Sequence, residues 1–354
     1  MFTRHRLHRL ARRVVLGTAV LMVAVLSAVP WVSPVWGAED AAQWRLTSGS
    51  TAERTAQLVA AALPAITAAL PAEAAVKPKQ PRKLLVFNTK RGHFKAAAVA
   101  AKAIELMGRK TGAWTTTVSN DPAVFEAGGL QGFDAVCLNN TGFFLFGDAS
   151  SKSATQEERA AAAAVAKRRE EAFLAYVRGG KGVIGFHAGI AGSGFLSKLF
   201  NGGRLTRHPW LAHEKVGIRI DDPQHALTRS FAGQSFDIVD EIFQFIDKPQ
   251  THFRKNVRVL LTLDMTRTEP KGDRPDQDYA VAWVKKVGQG RSFYSSLGHN
   301  AKTFWNPKIL RFYQDGIQFA LGDLEADMRP SAEVGIAPPP PPASVPPHET
   351  KTKK

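Results

Sequence analysis

The feature that most constrains the fold is an alternation of short apolar runs with helical segments between residues 82 and 327. The runs and segments follow one another in the order 84–87 (strand), 95–107 (helix), 133–138 (strand), 155–177 (helix) and 181–186 (strand). Strands that alternate with helices form a mostly parallel sheet covered on both faces. The sequence therefore predicts an α/β fold with helices on each side of a central sheet.

Beyond residue 187 the apolar runs follow each other more closely. We predict strands at 216–220, 236–246, 257–263, 279–284 and 291–295, and a closing helix at 309–320. The single cysteine, Cys137, lies in the middle of a predicted buried strand. We expect it in the core rather than at a reactive position, and one cysteine excludes an internal disulfide framework.

The two ends of the chain have a different composition from the middle. Residues 1–37 combine an arginine-rich start with an apolar run and then small residues, which is the pattern of a secretory signal peptide. We expect export to the periplasm or the outside of the cell, with an uncleaved membrane anchor as the alternative. Residues 38–82 read as an Ala-rich helical preface with a Pro/Lys linker, and residues 328–354 as a Pro-rich disordered tail. The globular domain is thus predicted over 83–327, with no stable membrane span after signal removal.

The chain carries a formal charge of +16. Residues 1–37 contain five arginines and no acidic residue, so the rest of the chain carries +11. The remaining basic residues are dispersed, and no zinc finger, RNP or helix-turn-helix signature accompanies them. We therefore expect no nucleic-acid partner. The charge is typical of a solvated surface, with attraction to anionic glycans or lipid headgroups as an alternative.

The most informative motif is Gly185-Phe-His187-Ala-Gly189, directly after an apolar strand. Small residues on both sides of His187 allow the chain to turn sharply and to present the middle side chain at the carboxyl edge of the sheet, where ligands bind in open α/β folds. Histidine suits general base catalysis or metal ligation, but it lacks the oxygen or sulfur needed for ordinary acyl transfer. A structural role, capping a helix or pairing buried backbone groups, is equally open from the spacing.

Further polar candidates lie at strand ends in the second half. Asp240-Glu241 interrupts an apolar strand, and adjacent strand residues point to opposite faces. One of the two carboxylates therefore faces inward or into a cleft, where it needs a partner that His187 or His299 could supply. His208 and Asn300 flank turns and are weaker candidates on their own, because no metal-ligand spacing such as H-E-x-x-H is present.

The order of these motifs resembles that of the ThuA-like, trehalose-utilisation family. The matching strings are 83–87, 133–141, 179–188, 240–245, 290–300, 305–307 and 316–322. The resemblance implies a flavodoxin-like, class I glutamine amidotransferase-like three-layer sandwich with a mostly parallel central sheet. It places His187 where an amidotransferase carries its cysteine. It also implies a link to carbohydrate metabolism, with a keto-sugar or a disaccharide as the substrate.

We expect His187, Glu241 and His299 to converge as the catalytic residues. Two imidazoles and a carboxylate form a recognised catalytic zinc set, so the same three residues are the candidate ligands of a divalent metal; metal-free acid/base chemistry is the alternative. The expected substrate-binding residues are His93, Lys95, His208, Asp240 and Asn300.

Two stretches depart from the family pattern. The loop after the first strand reads Gly92-His93-Phe94-Lys95, where relatives have an aromatic residue before the histidine, and the stretch 189–194 lacks the Thr-Asp pair and the tryptophans of relatives. These departures favour a second reading, a non-catalytic module that binds glycan or envelope partners. Glutaminase activity is disfavoured, because no cysteine stands at the turn after residues 181–186.

Overall fold

The computed structural model of the chain describes residues 51–89, 94–142, 145–146, 154–190, 194–200, 204–246 and 253–338. The expected signal peptide at 1–37 lies outside the described residues, as does the end of the tail at 339–354.

Six helices and eleven strands make up the regular structure of the described residues. The helices are α1 (Thr51–Ala69), α2 (Phe94–Thr111), α3 (Gln156–Arg178), α4 (Gly194–Phe200), α5 (Phe253–Asn256) and α6 (Pro307–Leu321). The strands are β1 (Lys83–Phe87), β2 (Thr115–Ser119), β3 (Ala135–Asn139), β4 (Gly182–Phe186), β5 (Arg204–Trp210), β6 (Lys215–Ile220), β7 (Phe236–Val239), β8 (Ile242–Ile246), β9 (Arg258–Leu263), β10 (Ala280–Val287) and β11 (Gly290–Ser295).

Nine of these strands form one sheet in the order β2-β1-β3-β4-β11-β10-β9-β6-β7. The first five are mutually parallel, in the order of flavodoxin-like folds. The other four pair in antiparallel fashion, and the short turn at Gly288 between β10 and β11 can only reverse the chain. The predicted α/β class with parallel central strands is confirmed.

The sheet has a packed core on each face. Alternate residues of β1 enter opposite cores: Leu84 and Val86 join the first, and Leu85 and Phe87 the second. The first core is covered by side chains of α1, α2 and α6, and the second by side chains of α3 and α4. These three layers match the expected sandwich.

The globular unit extends beyond the boundaries expected from the sequence at both ends. Helix α1 buries Ile66 in the first core, and the Gln318 side-chain oxygen accepts the backbone N–H of Ala75 at 2.7 Å. At the other end the Ser331 hydroxyl accepts the N–H of Val259 at 2.9 Å. The helical preface, the linker and the first part of the tail are thus held by buried apolar contacts and paired backbone groups.

Cys137 is fully buried on β3, and burial raises the pKa of its thiol. This position agrees with the expected core role. Among the described residues, no helix combines the length and the apolar character that crossing a membrane requires.

Candidate functional site

His187 lies at the carboxyl end of β4, at the start of a short 3₁₀ turn over His187–Ile190. Its φ of 47° is left-handed, so the chain reverses sharply at this residue. The turn packs so closely on β3 that a Cβ at Gly189 would lie 2.2 Å from the carbonyl oxygen of Leu138, which explains the second glycine of the motif. The His187 ring is buried and stacks on Phe243 at a centroid distance of 4.2 Å.

The tautomer of His187 follows from its partner. Its Nδ1 lies 2.8 Å from the backbone carbonyl oxygen of Ser296, which can only accept a hydrogen bond, so Nδ1 carries the hydrogen. In the neutral ring Nε2 therefore has a lone pair. That atom points at Glu241 and His299.

Three ligand-type atoms meet at this point from three parts of the chain. His187 Nε2 lies 3.1 Å from Glu241 Oε2 and 3.2 Å from His299 Nδ1, and the last two atoms are 3.2 Å apart. Glu241 lies at the junction of β7 and β8, and His299 lies in the turn after β11. Tetrahedral zinc with bonds of about 2.0–2.1 Å has neighbouring ligand atoms about 3.3 Å apart, so the three atoms are spaced like one face of a coordination tetrahedron.

The charges of the cluster favour an ionised carboxylate. Burial disfavours the charged form of Glu241, but hydrogen bonds to the rings of His187 and His299 outweigh it and lower the pKa of Glu241 below its ordinary value. The hydrogen bond to Glu241 in turn raises the pKa of His299, against the effect of burial. Without a metal, a proton on the rings therefore offsets the carboxylate charge.

Asp240 differs from the expectation that it contacts substrate. Its side chain is fully buried, and its carboxylate accepts the N–H groups of Glu241, Gly298 and Asn300 and the hydroxyl of Thr303 at 2.7–3.0 Å. Burial raises the pKa of Asp240, and these donors oppose that effect. Asp240 therefore holds the Glu241 backbone and the turn that carries His299, rather than facing a cleft.

The predicted single strand 236–246 is divided at this same pair. Strand β7 is the edge of the large sheet, whereas β8 pairs with β5 in a separate two-stranded sheet. The chain changes sheets at Asp240 and Glu241, so both carboxylates are buried instead of alternating between faces.

His208 and Asn300 both lie beside the cluster. His208 is on β5, and its Nδ1 lies 3.3 Å from Glu241 Oε1 while 56% of its side chain is exposed, so it lies on the solvent side of the carboxylate. The Asn300 side-chain amide donates to the carbonyl oxygens of Ala212 and Val239 and ties the turn to the neighbouring chain. His93 lies outside the described residues, and Lys95 belongs to α2 with a side chain outside them.

Sequence reasoning missed the residues at the end of β3. Asn139, Asn140 and Thr141 are fully buried next to the turn that carries His187. The signal that could have found them is three consecutive polar residues directly after the buried apolar run that ends at Leu138.

A cavity of about 350 Å³ lies elsewhere, between α5 and residues 332–338. Its arginines, Arg254 and Arg274, already pair with aspartates. The cavity shares no residue with the histidine cluster, and we assign no ligand to it.

Comparisons with known proteins agree with this architecture. A family model described as trehalose utilisation (ThuA) matches residues 83–320, more than half of the chain. The structure is similar to that of a ThuA-like protein from Bacteroides uniformis, with a TM-score of 0.52 and 19% identity over 69% of this chain and 93% of that one. A ThuA-like protein from Parabacteroides merdae has a TM-score of 0.46 and 14% identity over 71% of this chain and 93% of its own.

A search of curated proteins found no match. At 19% identity the Bacteroides uniformis structure supports the fold alone, while the family model covers the whole sheet and every residue of the histidine cluster. The chain belongs to the ThuA-like, trehalose-utilisation family.

Proposed function

We propose that this domain acts on a carbohydrate, a keto-sugar or a disaccharide, at the carboxyl edge of its sheet. His187, Glu241 and His299 would hold a divalent metal such as zinc, which would assist the reaction. The family description supports the substrate class, and the donor set supports the metal.

The observation that carries the proposal is the triangle of Nε2, Oε2 and Nδ1 atoms. Because His187 Nδ1 donates to Ser296, the neutral ring and the Glu241 carboxylate place two acceptors 3.1 Å apart. Two acceptors at that distance repel each other unless a cation lies between them. A proton can lie between only one pair of these atoms, whereas a metal ion can accept a lone pair from all three atoms at once.

A metal held by His187, Glu241 and His299 would supply Lewis acidity toward a carbonyl or hydroxyl oxygen of the sugar. The chain's own residues do the rest. Ser296 and Phe243 fix the His187 ring, Asp240 fixes Glu241 and the His299 turn, and the buried ring of His187 is shielded from water. We expect His208 to contact the substrate, which its half-exposed position next to Glu241 supports.

The test begins with metal content. Protein purified without chelators is analysed by inductively coupled plasma mass spectrometry, alone and as the variants His299→Ala and Glu241→Gln. The matched control is His213→Ala, which removes an exposed histidine outside the cluster. We expect one equivalent of a divalent ion in the wild type and in the control, and loss of that ion in both cluster variants.

Turnover is then measured on trehalose and on its keto derivative, with His187→Ala as the decisive variant. Turnover that persists in His187→Ala contradicts the proposal. A metal-free protein whose turnover is lost in His187→Ala favours acid/base chemistry by the same residues. Retention of glycan with neither metal nor turnover favours the non-catalytic module.

Export is part of the proposal, supported by the composition of residues 1–37. N-terminal sequencing of the mature protein from the native host tests it. A mature chain that begins near Gly37 or Ala38 supports signal cleavage, and an intact leader in the soluble fraction contradicts export.

A further inference from the structure

A second group of polar residues lies at the point where the order of the parallel strands reverses. Strand β1 pairs with β2 on one side and with β3 on the other, so the crevice at the carboxyl ends of β1 and β3 is the topological switch point of the sheet. Ligands bind in such crevices in open α/β folds. Here the crevice is bordered by Asn88 and Thr89 after β1 and by residues 139–141 at the end of β3.

Asn140 connects this crevice to the histidine cluster. Its backbone N–H donates to the carbonyl of Phe186, the residue before His187. Its side-chain amide donates to the carbonyl of Gly298, the residue before His299, at 3.1 Å. Asn140 itself has a left-handed φ of 55°, and such conformations in residues other than glycine concentrate at functional sites.

Three buried polar atoms in residues 139–141 have no hydrogen-bond partner among the described residues. They are Oδ1 of Asn139, Oδ1 of Asn140 and Oγ1 of Thr141. The amide orientations are fixed, because Nδ2 of Asn139 donates to the carbonyl of Ala97 at 2.7 Å and Nδ2 of Asn140 to the carbonyl of Gly298, and a carbonyl only accepts. A buried polar atom without a hydrogen bond lowers the stability of the fold, so the presence of three such atoms together indicates a functional role.

We propose that Asn139, Asn140 and Thr141 form the subsite that binds hydroxyl groups of a neutral sugar next to the histidine cluster. The inference rests on the proposed function, since it names the groups that hold the substrate for that site. Two of the three unpaired atoms are pure acceptors, and a sugar hydroxyl is a donor that matches them. The Thr141 hydroxyl donates or accepts as the ligand requires.

The side chains of the described crevice residues favour one class of ligand. Among the described residues of the crevice, which are Asn88, Thr89 and residues 139–141, no side chain is charged. Two amide oxygens repel a phosphate or a carboxylate. Protein sites for calcium or magnesium are built around carboxylates, which this segment lacks. Neutral hydroxyl groups are the ligands that fit these described residues.

The test uses a variant that separates ligand binding from folding. Thr141→Val keeps the shape of the side chain and removes a hydroxyl that makes no hydrogen bond to any residue that the structure describes. If the hydroxyl serves only the ligand, the melting temperature of Thr141→Val is equal to or above that of the wild type, while sugar affinity falls at least tenfold. A structural hydroxyl gives the opposite result, a lower melting temperature.

A second variant addresses Asn140. Asn140→Gly removes the amide and keeps the left-handed backbone, which glycine adopts without strain. The control is Asn256→Ala, which removes an exposed amide on α5. Affinities for trehalose and glucose, with glucose 6-phosphate and calcium as comparison ligands, are measured by calorimetry or by saturation-transfer NMR.

We expect trehalose or glucose to bind the wild type and Asn256→Ala equally, and to bind Thr141→Val and Asn140→Gly at least tenfold more weakly. Unchanged affinity in both variants overturns the proposal, as does a wild type that binds neither sugar or that prefers calcium or the phosphorylated sugar. Failure of the proposed function looks different: the protein still binds sugar through residues 139–141 but holds no metal and turns nothing over.

Discussion

Ser296 holds the His187 ring from two directions. Its backbone carbonyl oxygen lies 2.8 Å from His187 Nδ1. Its hydroxyl accepts the backbone N–H of Phe243 at 3.2 Å, and the Phe243 ring stacks on the His187 ring. A single buried serine thus fixes both the tautomer and the plane of the imidazole. Such outer contacts decide which ring nitrogen is left to bind a metal or a proton.

Asp240→Asn is expected to weaken metal binding by about 10–100-fold. The two carboxylate oxygens of Asp240 accept four hydrogen bonds, whereas an asparagine side chain has only one acceptor oxygen. Competition with a chromogenic chelator measures the affinity. Asp237→Asn, an exposed carboxylate on β7, is the control and should bind metal like the wild type. Equal affinity in the two variants would show that Asp240 does not position the ligands.

Gly298→Ala is expected to destabilise the fold by about 1–3 kcal/mol and to displace His299. Gly298 has a φ of 129°, which alanine rarely adopts, and an added Cβ would lie 3.1 Å from the Phe304 ring. Urea denaturation and metal content are the measurements. Gly132→Ala, where an added Cβ meets nothing within 4 Å, serves as the control and should be neutral.

Ile66→Ala is expected to destabilise the whole domain by about 2–5 kcal/mol, because Ile66 of α1 is fully buried in the first core. Leu63→Ala, on the same helix but 40% exposed, should change stability by less than about 0.5 kcal/mol. Thermal melts followed by circular dichroism distinguish them. A neutral Ile66→Ala would mean that α1 is a separate preface, as the sequence alone indicates.

Asp315→Asn is expected to stabilise the protein at alkaline pH only. Burial raises the pKa of Asp315 to about 7, although Arg311 and Arg229 oppose the shift. Between about pH 4 and 7 the folded state therefore binds more protons than the unfolded state, so wild-type stability falls as pH rises through this range. Melting temperatures at pH 5 and pH 8 test this: the variant should gain on the order of 1–3 kcal/mol at pH 8 and little at pH 5. An equal gain at both pH values would rule out ionisation as the cause.

Local pattern located most of the elements. The predicted strand 181–186 and helix 155–177 match β4 and α3 to within one residue at each end, because buried strands and amphipathic helices carry their period in the sequence. Strands β2 and β5 were missed. Their residues, Thr115–Ser119 and Arg204–Trp210, are largely polar or exposed, and pairing with neighbours rather than composition makes them strands.

The candidate site was predictable in its members and not in its geometry. His187 was visible from the glycines around it, because a sharp turn after a strand leaves a local signature. The distances among His187, Glu241 and His299 were not, since they depend on how β4, the β7–β8 junction and the turn after β11 are brought together. Asn140 belongs to a local signal, three consecutive polar residues after a buried apolar run, whereas its contact with Gly298 depends on the tertiary arrangement.

The sequence by itself determined the alternation of strands and helices, the turn at His187 and the family. Each of these can be recognised from the pattern of residues close together in the chain. The tertiary structure decided that the chain changes sheets at Asp240, that Ile66 belongs to the core, and that three side chains from remote segments converge. Short-range spacing sets which face a side chain occupies within its own element. Which faces meet is decided by the burial of apolar surface over the whole chain, and no local pattern records that choice.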